Sequence, residues 1–332
     1  MAQARRYEVP CEPPPWARGG HAQTLLGHLL PSPGEPPARI PTARRVEVAL
    51  ADGDRLVAYA LPGTSGVRVH LFHGLSGDVD ADYMRRTAAV LQERGHEVWL
   101  VNHRGCGAGR GLAAGTYHSG VSADMQAVLA ASRAEAPDRV HLVVGFSLSG
   151  NVALLLAAQG LEPLPDGLVA VNPPVDLAGA SVAIGQGLNR LYELRFLWRL
   201  RGAVRQRERD GLVRERIRVP ALASLMEFDD LYTAPRSGFA DGQDYYRRCS
   251  SLPRLGAITT PAVIVTAGDD PFVDPGVYRS AELPAPVLLH VEPAGGHIGY
   301  LARDGLGFRH WLDGALAHYV GELARTSSAP GR

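Results

Sequence analysis

The chain has 332 residues, of which 45% are apolar and 20% are charged, the composition of a globular protein long enough to bury a large core. Its 34 basic and 34 acidic residues cancel, so the charge predicts neither a nucleic-acid partner nor an acidic polymer as substrate. Every basic residue is Arg, which excludes chemistry that uses a lysine nucleophile or Schiff base.

The cysteines and the N-terminus indicate the compartment. Cys11, Cys106 and Cys249 are odd in number and match no disulfide or metal spacing, which favours a reducing environment. The first residues lack the apolar segment of a signal peptide, and no stretch is apolar for long enough to cross a membrane. We therefore expect a cytoplasmic protein without metal or cofactor, and its oligomeric state stays open.

The first half of the chain predicts an arm followed by alternating strands and helices. Residues 1–44 are rich in proline and predict an irregular arm with a short helical turn at 22–30. Alternating apolar residues around Asp52-Gly53 predict a hairpin. We then expect strands at 67–72, 98–101, 140–146 and 168–171, and helices at 81–94, 121–134 and 148–158.

This alternation is typical of a parallel sheet, because parallel neighbours require a crossover helix. It stops at Asn172 and resumes with strands at 262–267 and 287–291 and a helix at 306–323. We predict an α/β fold with a mostly parallel, twisted sheet of about eight strands and helices on both faces. Its parts are a core of 45–172 and 256–325, a helical cap insertion of 173–255 and a flexible tail of 326–332.

The segment 143–151 predicts a nucleophile. An apolar strand ends, a serine follows between small residues, and an apolar helix begins, as in a nucleophile elbow. Gly145 stands two residues before Ser147, and Ser149 occupies the second small position, where the G-x-S-x-G pattern has glycine. A serine before a helix is also a common N-cap, and Ser149 is a second candidate with less suitable flanks. We predict Ser147 as the nucleophile.

The loop after the strand at 67–72 predicts an oxyanion hole. Acyl transfer requires backbone N–H groups directed at the developing oxyanion, and we expect these from Leu75 in this loop and Leu148 after the nucleophile. His70 and His73 are interpreted as structural, because residues three apart on a strand point to opposite faces and cannot share a metal ion.

Two later strand ends predict the acid and the base. Asp269 and Asp270 follow the strand at 262–267, and Asp270 fits the usual acid loop better because Pro271 follows it. His297 lies among glycines after the strand at 287–291. The chain order Ser147, Asp270, His297 is that of α/β-hydrolases and differs from chymotrypsin and subtilisin.

One glycine-rich segment is excluded as a cofactor loop. Residues 105–111 read G-x-G-x-G, with Arg110 where a dinucleotide fingerprint has its third glycine, and no helix pattern begins there. We interpret it as a turn. No group of His and Cys residues has the spacing of a zinc site.

These motifs are similar to those of the YheT-like α/β-hydrolases, which are related to the eukaryotic alpha/beta-hydrolase-domain-containing lipid esterases. The branch usually has Gly where this chain has Ser149. The resemblance implies an α/β-hydrolase fold and esterase activity on short to medium acyl chains, with lipid substrates among relatives. The matching segments are 20–25, 73–77, 102–107, 145–151, 269–271 and 295–299.

The insertion predicts the substrate pocket. Leu188, Leu191 and Leu194 recur at helical spacing, together with Leu197 and Trp198, and we expect them to cover an acyl pocket. Arginines fill the other faces of this segment, so a basic amphipathic helix in peripheral contact with an anionic membrane is the alternative. Acidic residues interrupt the basic run, which favours the cap.

The predicted activity is hydrolysis of carboxylic esters through an acyl-enzyme, with a small-molecule acyl ester as substrate. Acyl transfer to an alcohol by the same three residues is the first alternative. A non-catalytic lipid-binding member of the fold is the second, since fold does not dictate function.

Overall fold

The computed structural model describes residues 3–30, 37–213 and 217–327. Residues 214–216, which belong to the arginine-rich part of the predicted cap, and most of the predicted tail, at 328–332, lie outside the described residues. Residues 326 and 327, which the sequence places in the tail, belong to the last helix.

One sheet of eight strands forms the centre of the molecule, in the order β1-β2-β4-β3-β5-β6-β7-β8. The first two pairings, β1 with β2 and β2 with β4, are antiparallel, and all others are parallel. The predicted α/β fold is therefore confirmed. The strands are β1 (Arg44–Ala49), β2 (Arg55–Leu61), β3 (Val67–Phe72), β4 (Glu97–Asn102), β5 (Val140–Phe146), β6 (Gly167–Val171), β7 (Ala262–Ala267) and β8 (Val287–Glu292).

Four helices cover the two faces of the sheet, and strand side chains alternate between them. On β5, Leu142 and Val144 pack in the core beside α2 and α10, whereas Val143 packs in the core beside α3 and α4. Burial on both faces explains why apolar residues follow one another along β5, as at Leu142, Val143 and Val144. The helices are α2 (Asp82–Glu93), α3 (Ser122–Glu135), α4 (Leu148–Gln159) and α10 (Trp311–Ser327).

The segment predicted as a cap is helical. It carries α5 (Leu177–Ile184), α6 (Arg190–Arg209), α7 (Leu225–Phe228), a π-helical turn (Asp229–Thr233), α8 (Ala234–Arg236) and α9 (Gly242–Cys249). Further single turns of 3-10 helix connect elements along the chain, at Pro15–Ala17, Pro37–Arg39, Gly107–Gly109, Gly187–Asn189, Leu252–Ala257 and Pro275–Ser280.

The N-terminal arm lies against the C-terminal part of the core. Its helix α1 (Gly20–Leu29) is longer than the predicted turn. The Cys11 backbone N–H donates to Glu292 Oε1 at 2.8 Å, and the Tyr7 N–H donates to the Tyr319 hydroxyl at 3.0 Å. These bonds tie the first part of the arm to β8 and α10.

The last predicted helix begins later than expected. A hairpin of β9 (Leu301–Asp304) and β10 (Gly307–His310) precedes α10, which begins at Trp311 rather than at residue 306. Gly305 has a φ of 56°, a conformation that glycine adopts without strain, and it turns the chain between the two strands. The turn residues therefore override the helical pattern read from the following apolar positions.

Candidate active site

Ser147 occupies the sharp turn between β5 and α4. Its φ of 51° and ψ of −120° are strained for a residue with a side chain and project the hydroxyl from the end of the sheet. A Cβ at Gly145 would lie 2.4 Å from the backbone oxygen of Ser149, so only glycine fits there. The local sequence thus produces the strained turn that the elbow pattern predicts.

A hydrogen-bond chain joins the three residues predicted as catalytic. His297 Nε2 lies 2.8 Å from Ser147 Oγ, and His297 Nδ1 lies 2.8 Å from Asp270 Oδ2. The Asp270 side chain is fully buried, and Asn172 Nδ2 donates to the same Oδ2 at 2.7 Å. A carboxylate held in this way fixes the imidazole with Nδ1 protonated and leaves Nε2 to accept the serine proton.

The two candidate acids have different partners. Asp270 Oδ1 accepts the backbone N–H groups of Phe272 and Val273 at 3.1 and 3.0 Å, which leaves Oδ2 directed at His297. Asp269 Oδ1 accepts the N–H groups of Gly295 and Gly296 at 2.9 and 2.8 Å. Asp269 therefore holds the loop that carries the histidine, and Asp270 contacts the ring.

The two N–H groups predicted for the oxyanion hole flank Ser147. Leu148 is the first residue of α4, so its N–H has no acceptor within the helix. The Leu75 N–H makes no hydrogen bond to any residue that the structure describes. A Cβ at Gly74 would lie 3.1 Å from Ser147 Cβ, so this loop runs directly beside the nucleophile. Leu75, Leu148 and Ser147 all line one cavity.

Ser149 stands where the usual pattern has glycine. Its side chain connects the loop after β3 with the loop after β4. Its hydroxyl donates to the His73 carbonyl at 2.5 Å, and His103 Nε2 lies 2.7 Å from the same hydroxyl. The Tyr117 hydroxyl lies 3.2 Å from Ser149 Oγ and 3.3 Å from the His73 carbonyl. The sequence predicts Ser149 as the second small residue of the elbow and as an alternative nucleophile. Its fully buried hydroxyl instead fixes the carbonyl two residues before Leu75.

The histidines of this network are buried and neutral. Burial lowers the pKa of His73 to about 4 and lowers the pKa of His103 well below its usual range. His73 Nδ1 pairs with the Gly74 carbonyl at 2.8 Å, and its Nε2 accepts the His103 backbone N–H at 3.2 Å. These contacts agree with the interpretation of His73 as structural.

The arm helix α1 positions the loop that carries His297. The sequence does not predict this contact. Thr24 Oγ1 accepts the His297 backbone N–H at 2.8 Å, and Gln23 Oε1 accepts the Leu301 N–H at 2.7 Å. A Cβ at Gly27 would lie 2.5 Å from Gly299 Cα, so the helix and the loop are in close contact. The segment 20–25 was noted only for its family resemblance, and no local pattern indicates which loop it meets.

A cavity of about 940 Å³ opens over Ser147 between the sheet and the cap. Of the side chains predicted to cover an acyl pocket, Trp198 belongs to its described lining and the leucines do not. Leu188, Leu191 and Leu194 are absent from its described lining, and Leu188 and Leu191 are 67% and 68% exposed. This prediction of the substrate surface is therefore corrected: on α6 the cavity meets Tyr192 and Phe196 instead.

Leu188 precedes α6, in the turn Gly187–Asn189, and the positions of Leu191 and Leu194 follow from the rotation of α6 about its axis. Tyr192 and Phe196, one turn apart, pack with Phe272, whose ring centroid lies 4.4 Å from that of His297. Leu197 is fully buried on another face, against Phe228 of the cap. The helix thus has two buried faces, and the leucine spacing alone does not tell which face meets the cavity.

Part of the arginine run of α6 attaches the cap to the core. Arg207 Nη2 donates to the carbonyls of Ala113 and Ala114, each at 2.9 Å. Arg199 Nη1 donates to the Ser76 carbonyl, next to Leu75, at 3.3 Å. Arg207 is therefore partly buried against the core, whereas Arg199 bonds to the core from an exposed position.

Within 3–30, 37–213 and 217–327 there is no group of three or more His, Cys, Asp or Glu residues arranged to hold a metal ion. No helix in the same part of the chain has both the length and the apolar character required to cross a membrane.

Comparison with known proteins identifies the family. A family model described as the alpha/beta hydrolase fold matches residues 67–304. The putative esterase YheT of Escherichia coli is 33% identical over 259 residues, which cover 76% of each chain. Medium-chain fatty acid ethyl ester synthase/esterase 2 of Saccharomyces cerevisiae is 27% identical over 278 residues, which cover 76% of this chain and 61% of the yeast protein.

Among solved structures, the esterase Pf2001 of Pyrococcus furiosus superposes with a TM-score of 0.59. Its sequence is 16% identical and 98% of each chain is covered, so this likeness concerns the fold alone. The match over residues 67–304 and the similarity to YheT show the family: the chain belongs to the alpha/beta hydrolase fold family, in its YheT-like branch.

Proposed function

We propose that this protein hydrolyses carboxylic esters of short to medium acyl chains, with Ser147 as nucleophile, His297 as base and Asp270 as acid. The observation that carries the proposal is the hydrogen-bond chain from Ser147 through His297 to Asp270 at the floor of a cavity. The esterase names of the bacterial and yeast relatives support the same reaction class.

In this mechanism Ser147 Oγ attacks the ester carbonyl and transfers its proton to His297 Nε2. The Leu75 and Leu148 N–H groups stabilise the charge that develops on the carbonyl oxygen. His297 then protonates the departing alcohol, which leaves an acyl group on Ser147. Water attacks this acyl-enzyme, with His297 as the base for the second time, and regenerates the serine.

Acyl transfer is the second candidate, because an alcohol can replace water in the last step. The yeast relative is named as both a synthase and an esterase, which favours testing transfer beside hydrolysis. The product ratio in mixtures of water and ethanol distinguishes the two. A constant preference for ethanol far above its molar share would make transfer the principal activity.

The nucleophile is tested by covalent labelling. A fluorophosphonate probe is expected to label Ser147, because a base-activated hydroxyl attacks phosphorus readily. Ser147→Ala should abolish both labelling and hydrolysis of p-nitrophenyl esters while the protein stays folded. Labelling that persists in Ser147→Ala and disappears in Ser149→Ala would assign the nucleophile to the wrong serine.

The acid is tested with the matched pair Asp270→Asn and Asp269→Asn. Asp270→Asn should lower kcat by about 10⁴-fold, because the amide favours the wrong tautomer of His297. Asp269→Asn should cost far less, since an amide oxygen still accepts the Gly295 and Gly296 N–H groups. A larger loss in Asp269→Asn would reverse the two roles.

We further propose that the cavity mouth contacts the surface of aggregated, anionic lipid. Trp198, 72% exposed, and the exposed Leu25 of α1 both line the cavity, and the exposed Leu191 follows the same face of α6. Arg195 lies among them at the mouth. Exposed apolar side chains beside a cation suit an interface of anionic lipid.

Sedimentation with vesicles tests this contact. Binding to vesicles that contain phosphatidylglycerol should exceed binding to phosphatidylcholine vesicles and should fall in Trp198→Ala. Leu306→Ala is the matched control, because Leu306 is fully exposed on the turn between β9 and β10 and does not line the cavity. Equal binding by wild type and Trp198→Ala would exclude this docking face.

A further inference from the structure

The cavity wall contains a buried carboxyl group that the proposed mechanism does not use. Asp229 is 7% exposed and lines the same cavity as Ser147. It begins the π-helical turn Asp229–Thr233. Such turns are rare and occur frequently at functional sites, because they redirect a side chain that a regular helix would place elsewhere.

The partners of this carboxyl are hydroxyl groups. Thr233 Oγ1 donates to Asp229 Oδ1 at 2.6 Å, and the Tyr246 hydroxyl donates to Oδ2 at 2.7 Å. Ser181 Oγ lies 3.1 Å from the Tyr246 hydroxyl. All four residues line the cavity. Among the described residues no cationic side chain lies within ion-pair distance of Asp229.

A structural role alone explains this arrangement poorly. Burial raises the pKa of Asp229 to about 6, which reflects the cost of keeping the charged form away from water. An asparagine oxygen could accept a hydrogen bond from Thr233 or Tyr246 without that cost. An ionised carboxylate has about four acceptor positions, and the two hydroxyls occupy two of them. Acceptor capacity therefore remains at the cavity wall.

A hydroxyl partner of the Asp229 carboxyl group belongs to a cluster of side chains that reaches the predicted oxyanion hole. Tyr246 packs in one cluster with Leu148 and Leu177, and Leu148 is the residue after the nucleophile. The opposite part of the lining includes the apolar side chains of Phe196 and Phe272. A substrate with its ester at Ser147 therefore meets apolar surface and the buried carboxyl group of Asp229.

We propose that Asp229 accepts a hydrogen bond from a hydroxyl group of the substrate, so that the enzyme prefers esters that carry a free hydroxyl group remote from the scissile bond. This inference rests on the proposed function of Ser147. A hydroxyl group suits the site better than an ammonium group, because arginines outnumber aspartates among the described lining residues. A hydroxyl group can also pair with either protonation state of the carboxyl group.

Two matched pairs of esters test the proposal on the full chain. Glyceryl monobutyrate and propyl butyrate differ in hydroxyl groups on the alcohol side, and ethyl 6-hydroxyhexanoate and ethyl hexanoate differ on the acyl side. In at least one pair, kcat/KM of the wild type should be roughly tenfold higher for the hydroxylated ester, as expected for a hydrogen bond to a carboxylate. A purely apolar pocket would give the opposite order, because the ester without hydroxyl groups is more hydrophobic.

Substitution assigns the preference to one side chain. Asp229→Leu should remove the preference for the hydroxylated ester, so that kcat/KM falls roughly tenfold more for the hydroxylated ester than for the plain ester of the same pair. Asp230→Asn is the matched control, because Asp230 is exposed, adjacent in sequence and absent from the cavity lining. The rate of fluorophosphonate labelling reports whether Ser147 remains functional in each variant.

Three outcomes would overturn the inference. The first is a wild type that has the higher kcat/KM for the plain ester in both pairs. The second is an equal loss of kcat/KM on both esters of a pair in Asp229→Leu, which would indicate a structural role. The third is a choline ester whose kcat/KM exceeds that of both hydroxylated esters. Failure of the proposed function is distinct, because hydrolysis would then be missing for every ester or would persist in Ser147→Ala.

Discussion

The Ser149 hydroxyl donates to the His73 carbonyl and also contacts His103 Nε2 and the Tyr117 hydroxyl. It lies where the loop after β3, the loop after β4 and the nucleophile turn meet. Its hydroxyl holds the His73 carbonyl, and Leu75 follows two residues later. The orientation of the Leu75 N–H therefore depends on a side chain that touches no substrate. We regard Ser149 as a positioning residue for the proposed oxyanion hole.

Ser149→Ala should therefore lower kcat by roughly tenfold, the effect of about one lost hydrogen bond, with KM within about twofold. Affinity for a boronic-acid analogue of the tetrahedral intermediate should fall in parallel with kcat/KM. Ser122→Ala is the control, because the Ser122 hydroxyl bonds to Gln159, away from the cavity. A rise in KM without loss of analogue affinity would indicate that Ser149 only supports the fold.

Helix α1 belongs to the arm yet supports the histidine loop through Thr24. Thr24→Val removes the acceptor of the His297 backbone N–H and leaves a buried donor without a partner, at a cost of about 1–3 kcal/mol. We expect a lower melting temperature and a lower kcat, measured by thermal unfolding and ester hydrolysis. Thr326→Val, in the last turn of α10, should change neither. Full activity in Thr24→Val would show that the loop holds its geometry without the arm.

Helix α6 has two buried faces, one with Phe196 at the cavity and one with Leu197 inside the cap. Phe196→Ala should enlarge the cavity and move the optimum of an ester series from acetate to laurate toward longer chains. Each additional methylene group that becomes buried contributes about 0.8 kcal/mol, or roughly fourfold in kcat/KM. Leu188→Ala should leave the optimum unchanged, because Leu188 is exposed and does not line the cavity. A shift in Leu188→Ala alone would restore the leucine face as the substrate surface.

At the scale of the whole molecule, buried neutral histidines make stability depend on pH. Burial lowers the pKa of His70, fully buried on β3, to about 3, whereas in the unfolded chain its pKa is about 6.5. Below pH 6.5 the unfolded state therefore binds a proton that the folded state does not. Stability is lost as pH falls from about 6.5 toward 3.

His70→Gln should make this dependence shallower. Between pH 7 and pH 5 the wild type should lose roughly 2 kcal/mol of unfolding free energy through His70 alone, and the variant should lack this part. Urea denaturation at both pH values measures the difference. Activity is a separate readout, because His70 does not line the cavity. An identical pH dependence in both proteins would show that His70 is already neutral in the unfolded state or charged in the folded one.

The sequence by itself determined the features that short-range patterns encode. Continuous apolar strands alternating with helices determined the mostly parallel sheet, because parallel pairing and burial on both faces leave a local signature. The small residues around Ser147 determined the strained turn, and the order of strand ends predicted the three residues that the structure joins by hydrogen bonds. Their catalytic role stays a prediction until the variants are measured.

Only the tertiary structure decided which surfaces meet. It gave Asp270 the contact with His297 and Asp269 the contact with the histidine loop, a difference of one residue that depends on the direction of each side chain. It turned Phe196 toward the cavity and left Leu191 exposed. The sequence of a helix with two buried faces does not tell which face will meet the cavity. It also brought Thr24 to His297 across 273 residues, and contacts at such separation depend on how the chain packs rather than on local sequence.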